Sequence, residues 1–494
     1  MLRCFPTFTL IVILLSDGEF SQLRLRSKEN QYPPKGKKGN SHPSSLSSDP
    51  MRGGSINNKD LISSLSDDIV LHILSLLDQK EAARASVLSK RWRHMWALLP
   101  DFYNFDALKM LWWRLKSYDD QQYDTELRKY VRYVTQIVSS TPAQNINIFR
   151  VRIPLDRNYQ DDLQTWVNFA MAKSVKELEL NLSCPEGFIC EGKRLRVGPF
   201  GCYAQSPAAK SLVSLSLTAL EVSGPFIDSV LLNLPNLELL TMSELYCGVK
   251  SYIRVIGSSL KLRYLEISYC HGLGKLDISA GNLISFVLRG SEEDVKFNSV
   301  PVLNEVSFEG IYAVRLIHNF QTISGFSSQL NKLTLTSVFK GISHSPIEFP
   351  SFRKLKQLEL GIWNGSYMSL PFLSNFIDAC PVLNKFKLQC MMRLGIGETQ
   401  FVNERLEANV NRADTVSSKP HHHLNTFEMV GFLGCKADTE LVLYIAQFAL
   451  LLEKVILHPL LEEDDFGLTK EASSRERAKL LRNQLPPRVQ LEVL

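Results

Sequence analysis

Apolar residues recur along this chain in one spacing, apolar-x-x-apolar-x-apolar, far more regularly than chance composition would give. The copies are Val175/Leu178/Leu180, Leu212/Leu215/Leu217, Leu237/Leu240/Met242, Leu262/Leu265/Ile267, Leu283/Phe286/Leu288 and Leu303/Val306/Phe308. Five more follow: Leu330/Leu333/Leu335, Leu355/Leu358/Leu360, Leu383/Phe386/Leu388, Leu424/Phe427/Met429 and Leu452/Val455/Leu457. Ile148/Val151/Ile153 reads as an earlier copy. From Leu180 onward the last members are 37, 25, 25, 21, 20, 27, 25, 28, 41 and 28 residues apart. Residues two apart share one side of a strand, and the first apolar residue packs where the chain enters it. One such strand cannot bury its face alone, so the copies are predicted to stack into a curved parallel sheet over a shared core.

A different pattern precedes the repeats. Ser66 reads as a helix N-cap, with Asp67 and Asp68 in the first turn and Leu65 and Val70 placed as a hydrophobic staple. Ile69, Ile73, Leu74 and Leu77 then form one apolar stripe. A second helix fits Gln79–Leu88, and a third fits Lys90–Leu98 with Trp92 and Trp96 one turn apart, ended by Pro100. Three helices of that length enclose too little core to stand alone, so their apolar faces call for a covering surface, either the chain's own next domain or a partner. At the other end, Asn403 to Pro420 reads as a polar loop. Leu441, Tyr444, Ile445, Phe448 and Leu452 give a helical stripe, and Lys454–Leu457 a strand. After the acidic turn Glu462 to Asp465, a helix is expected from Ser473 through a Ser473-x-x-Glu476 capping box, then a strand through Val489, Leu491 and Val493.

Charge and composition narrow the function classes. Lys plus Arg number 56 against 51 Asp plus Glu, and the whole excess lies in residues 1–59, so the body carries no electrostatic footprint for nucleic acid. Residues 20–59, rich in Ser, Pro, Gly, Asn and Lys, supply no core and read as a solvated tail. No uninterrupted apolar run reaches the length of a membrane span. The nine cysteines are dispersed without a CxxC pair, which disfavours a zinc site or a disulfide scaffold and points to reduced, mostly buried thiols. Against that, Arg3, the apolar stretch Phe5 to Leu15, then Ser16 and Gly18 have the layout of a short secretory signal, and Asn181 and Asn364 each open an Asn-x-Ser tripeptide.

Catalytic signatures are missing. There is no GxxxxGK[ST], GxGxxG, HExxH or GxSxG. His421-His422-His423 has no carboxylate or Cys at ligand spacing and reads as a polar loop end, and Glu462-Glu463-Asp464-Asp465 lacks the alternation of a calcium loop. No metal and no cofactor are expected.

Two stretches carry a family resemblance. Residues 60–106, above all Ser86-Val87-Leu88-Ser89-Lys90-Arg91-Trp92-Arg93-His94-Met95-Trp96, closely resemble the F-box of plant F-box proteins. Residues 421–494 resemble the carboxy-terminal FBD region, through His423-Leu424, Phe427-Glu428, Gly431-Phe432, Glu440-Leu441, Tyr444 and Leu452-Glu453-Lys454. The spacing between them is that of leucine-rich repeats. From residue 60 the chain resembles a plant F-box/FBD/leucine-rich-repeat protein. The fold that follows is α/β: a small all-α F-box unit (60–106), a helical connector (107–147), a leucine-rich-repeat solenoid with a curved parallel sheet (148–420) and a C-terminal α+β FBD cap (421–494), behind a tail (1–59).

The resemblance implies a non-catalytic substrate receptor of an SCF-type (Skp–cullin–F-box) ubiquitin ligase. The F-box would dock on a Skp-type adaptor and through it on cullin, and the repeats would hold an unidentified protein to be ubiquitinated. Carried over, the adaptor-facing positions are Leu65, Ile69, Ile73, Leu74, Leu77, Ala82, Val87, Leu88, Trp92 and Trp96. The family has Leu-Pro where this chain has Leu65-Ser66; serine keeps the capping role and gives up an apolar contact. Because adaptor and cullin are intracellular, the resemblance places the protein in nucleus or cytoplasm and makes Phe5–Leu15 an alternative start or gene-model extension. The competing reading, motivated by residues 1–18, is a secreted or membrane-delivered leucine-rich-repeat recognition protein.

Overall fold

The computed structural model describes residues 65–75, 77, 85, 89–97, 102–107, 120–140, 146–184, 195–196, 210–222, 224–290, 294–337, 348–363, 370–391, 419–459 and 471–494. The chain divides into two units, Met1–Phe102 and Tyr103–Leu494.

In the first unit, α1 (Asp67–Ser75) and α2 (Lys90–Ala97) are described. The amide of Val70 donates to the Ser66 carbonyl (3.1 Å), so α1 starts where its cap predicts. Ser89 caps α2: its Oγ accepts from the Trp92 amide at 3.1 Å. Of the predicted helix Gln79–Leu88 only Ala85 is described; it is helical and buried.

The second unit is built on one sheet of fourteen strands among the described residues. It opens with β1 (Phe102–Asp106), β2 (Ile148–Arg152), β3 (Glu177–Asn181), β4 (Ser214–Thr218) and β5 (Leu239–Ser243). Next come β7 (Tyr264–Ser268), β9 (Ser285–Arg289), β11 (Glu305–Glu309) and β12 (Lys332–Ser337). It ends with β13 (Gln357–Trp363), β14 (Lys385–Met391), β15 (Thr426–Phe432), β16 (Lys454–Pro459) and β17 (Gln490–Val493). From β2 to β17 every pairing is parallel, and the middle apolar residue of each triplet faces the same residue of the next. Leu178, Leu215, Leu240, Leu265 and Phe286 thus form one buried column.

The earliest copy sits two residues from its expected place. Phe149 pairs with Leu178 and Val151 with Leu180, so the triplet is Ile146/Phe149/Val151 and Ile148 lies on the opposite face. Ile146, Ile148, Phe149, Val151 and Ile153 satisfy the spacing in either frame, and only pairing with β3 decides between them. The sheet also extends past both expected limits. β1 lies inside the stretch read as F-box, and residues 421–494 add β15 to β17 to the end of the same sheet.

Between sheet strands the chain returns through a second layer. Its helices are α3 (Asp120–Ser140), α4 (Gln160–Ala172), α5 (Gly224–Asn233), α6 (Ile311–His318), α7 (Gln321–Ser324), α8 (Leu370–Asp378), α9 (Lys436–Phe448) and α10 (Glu471–Leu480). The connector helix α3 is core material: Leu127, Val131, Val134 and Val138 are buried. Thr135 Oγ1 accepts from Trp166 Nε1 (3.0 Å) and donates to Asp162 (3.1 Å), which fixes α3 on α4. α10 begins at Glu471, so Ser473 lies within its first turn and not ahead of it as a cap.

In the middle three repeats strands replace helices. β6 (Tyr246–Gly257), β8 (His271–Ala280) and β10 (Asp294–Ser299) form a second, three-stranded parallel sheet. Two of these repeats are the shortest. Six residues of strand cross about 20 Å, whereas a helix needs about thirteen residues for the same distance.

Cys247, Cys270, Cys380, Cys390 and Cys435 are thiols outside any disulfide, as expected. Cys184 departs from that expectation: it is disulfide-bonded, its partner lying outside the described residues. Among the described residues no helix is long and apolar enough to cross a membrane.

Strands β4, β5, β7, β9 and β11 are each followed by a residue in the left-handed region: Ala219, Glu244, Tyr269, Gly290 and Gly310. Each donates its amide to the end of the next strand of the sheet, from Ala219 to the Ser243 carbonyl through Gly310 to Thr336. The Tyr269 ring lies across Gly290, where a Cβ would stand 2.2 Å from Cδ1. Gly290→Ala is therefore expected to destabilise the repeat unit by about 2 kcal/mol or more, read as a lowered urea midpoint. In a Tyr269→Ala background the same substitution should cost measurably less; equal costs in both backgrounds would show that the ring is not the obstacle.

Candidate functional site

Two surfaces concentrate the chemistry a binding protein needs, one in each unit. On the first, Val70, Ile73, Leu74, Ala85, Trp92 and Met95 form a closed apolar cluster. Leu65, Ile69, Leu71 and Leu77 are half-buried around it. Ile69 and Leu71 flank the buried stripe of α1 on its two sides, leaving an apolar margin in solvent. The sequence-predicted positions divide accordingly. Ile73, Leu74 and Trp92 point inward, with Trp92 only 3% exposed, while Leu65, Ile69 and Leu77 keep accessible surface. Ala82, Val87 and Leu88 lie outside the described residues; Trp96 is placed on α2 by its backbone, its side chain being outside the description.

Arg91, which the sequence pattern left without a role, ties the helices together. Its Nη2 donates to the Leu65 carbonyl (2.5 Å), and its Nε donates to Asp67 Oδ1 (2.8 Å). The guanidinium thus completes the N-terminus of α1, where backbone dipoles also favour the Asp67 carboxylate.

On the second unit the site is the open face of the large sheet, opposite the core. Here successive strands are linked by ion pairs across the ladder. Arg150 reaches Glu177 (3.3 Å) and Glu179 (3.1 Å), and Arg152 reaches Glu179 (2.7 Å). Arg289 bridges Glu266 (2.5 Å) and Glu309 (3.5 Å). Glu428 takes Lys385 (2.8 Å) and Lys387 (3.0 Å). Burial pushes the Glu428 carboxyl up, but the two lysines outweigh burial and hold it below the usual carboxylate range. Burial, then the hydrogen bond to Glu266, raises the Tyr264 phenol. No group of three metal-ligating side chains occurs among the described residues.

Comparison with known proteins finds matches in both units. A family model for the F-box domain matches residues 62–103, and a model described as At1g61320/AtMIF1, LRR domain, matches residues 143–483. The chain belongs to the plant family of F-box/FBD/leucine-rich-repeat proteins. It is similar to the F-box/FBD/LRR-repeat protein At4g26340 of Arabidopsis thaliana, 24% identical over 446 residues, covering 83% of this chain and 94% of the relative. The F-box/LRR-repeat protein At4g14103 of the same plant is 26% identical over 217 residues, 41% of this chain and 54% of the relative. A third, F-box/LRR-repeat protein At3g59210, is 30% identical over 149 residues, 28% of this chain and 29% of the relative.

In this F-box/FBD/leucine-rich-repeat chain the histidine triplet has a structural use. His421 is buried; its Nδ1 accepts from the amides of Leu424 (3.0 Å) and His423 (3.3 Å), and its Nε2 lies 3.0 Å from the Cys380 carbonyl. With Nδ1 accepting, Nε2 carries the proton and donates to Cys380, so the ring is neutral. Burial lowers its pKa from the ordinary 6.5. The unfolded chain therefore binds this proton more readily, and the ring's share of stability is complete above about pH 6.5 and is lost as pH falls toward the depressed folded value. Thermal melts at about pH 7.5 and about pH 5.5 should differ less for His421→Gln than for the wild type. An identical drop in both proteins would remove His421 as a source of acid sensitivity.

Proposed function

We propose that this protein is the cargo-holding, non-catalytic subunit of an SCF-type ubiquitin ligase in the nucleus or cytoplasm. Its F-box unit docks on a Skp-type adaptor, and through the adaptor on cullin, while the open sheet face holds the protein to be modified. The observation that carries this reading is the pairing, in one chain, of an F-box whose apolar margin stays half-exposed with a long polar sheet face. Ubiquitin transfer asks no nucleophile or base of such a subunit; it asks that an acceptor lysine be held near a charged conjugating enzyme, an effect of proximity.

The adaptor surface follows from burial. Leu65, Ile69 and Leu77 supply the accessible apolar contact. Ile73, Leu74 and Trp92 keep the helices in place from within, so truncating them would weaken docking by loosening the unit. Ala82, Val87, Leu88 and Trp96 complete the proposed face. Ser66 opens α1 with its carbonyl and adds little apolar area.

Ile69→Asp combined with Leu77→Asp should lower capture of a purified Skp-type adaptor by about tenfold or more, because apolar anchors at an interface centre dominate its affinity. Circular dichroism should show unchanged helix content. Capture at the wild-type level would remove this face. Trp92→Ala should instead lower the thermal midpoint, by about 3 kcal/mol of lost packing.

A further inference from the structure

Charge on the open face of the large sheet is not evenly spread. From β2 to β5, arginines and carboxylates balance, and the rest is largely hydroxyl, as in Ser214, Ser216, Thr218, Thr241 and Ser243. From β7 to β11 the face carries Glu266, Glu305 and Glu309 against Arg289 alone. From β12 to β16 the sign reverses: Lys332, Lys385, Lys387 and Lys454 stand against Glu359 and Glu428, with Lys454 also reaching Glu492 on β17.

The acidic block has the make-up of a binding hot spot. Tyr264 donates its hydroxyl to Glu266 (2.5 Å) and Tyr269 donates to Glu309 (2.8 Å), so both carboxylates are held in fixed positions beside phenol rings. Tyr269 is 47% exposed and sits in the left-handed region, a conformation a tyrosine keeps only where its surroundings impose it. Rigid tyrosine rings next to carboxylates favour a cationic side chain by charge and by the ring face.

We propose that the occupant of this face is a charge-polarised protein segment, with lysine or arginine seated against β7–β11 and carboxylates against β12–β16; the inference rests on the cargo-holding reading above. The block centres, β9 and β14, are four strand spacings apart, about 19 Å. About six extended residues cover that distance. An all-basic segment would meet the lysines, and an all-acidic one the glutamates, so the reversal of sign excludes partners that either block alone would accept.

The test titrates fluorescent peptides against the full chain. The probe carries two lysines and two glutamates separated by about six Gly/Ser residues; controls are all-lysine, all-glutamate, all-Gly/Ser and a two-residue spacer. The bipolar peptide should bind about tenfold more tightly than every control, weaken with salt, and lose that advantage in Glu305→Gln/Glu309→Gln. Equal affinity for bipolar and control peptides, no binding of the bipolar peptide, or unchanged binding in the variant would overturn the proposal. Proximity labelling with proteasome inhibition separates it from its parent reading. Labelled, ubiquitin-dependent cargo alongside failed peptides leaves the cargo reading standing and the polarity wrong. Peptide selectivity without any such cargo does the reverse.

Discussion

One backbone interaction recurs at nearly every repeat and sets the register of all of them. The carbonyl just before each sheet strand accepts two amides from the corresponding point of the next repeat. Asn147 accepts from Lys176 and Glu177, Lys176 from Val213 and Ser214, and the series runs through Glu238, Arg263, Ile284, Asn304, Asn331, Lys356, Asn384 and Asn425 at 2.7 to 3.1 Å. A carbonyl has two lone pairs, so each step satisfies the acceptor fully and leaves no buried amide unpaired at the entry to a strand. Side-chain identity at these positions is free, because the backbone does the bonding; asparagine, lysine, valine and arginine all serve.

That ladder explains why the second layer can vary without disturbing the first. Once the strand entries are fixed, a repeat returns by whatever element fits its length. Helices serve at both ends and strands in the middle, where Phe297 of β10 closes edge-on against Phe286 (5.5 Å) and packs on Phe326 (4.8 Å). It also explains why 421–494 is an extension of the sheet. β15 takes its register from Asn384 and β16 from Asn425, so the region resembling FBD inherits the geometry of the repeats before it. Its own contribution is local: the Asp438 carboxylate accepts from the amides of Leu433 (2.8 Å) and Gly434 (3.2 Å) and so closes the start of α9.

Function divides along the same line. A face whose backbone is fully engaged displays its side chains rigidly, which suits recognition by charge and shape. Among its described residues the F-box unit has no such ladder; two helices held by Arg91 and a small apolar cluster leave a greasy margin, and that margin is what a partner can cover.

The sequence by itself determined the strands and their inward residues, because a period of two and a step near 25 residues are imposed by one-sided burial in a stacked sheet. It also determined α1, α2 and the family. It did not determine the frame of the first repeat, since Ile146, Ile148, Phe149, Val151 and Ile153 are apolar in both frames and only the neighbour β3 discriminates. Nor did it show the middle sheet, whose alternating residues resemble any amphipathic return. Among the proposed docking positions, the family resemblance put Trp92 and Ile69 in one set, and only packing against Val70 and Met95 separated the residue that fills the core from the one left at its edge. The sign reversal across the open face lay in the sequence as scattered charges, and became a pattern only when strands about 25 residues apart were laid 5 Å from one another.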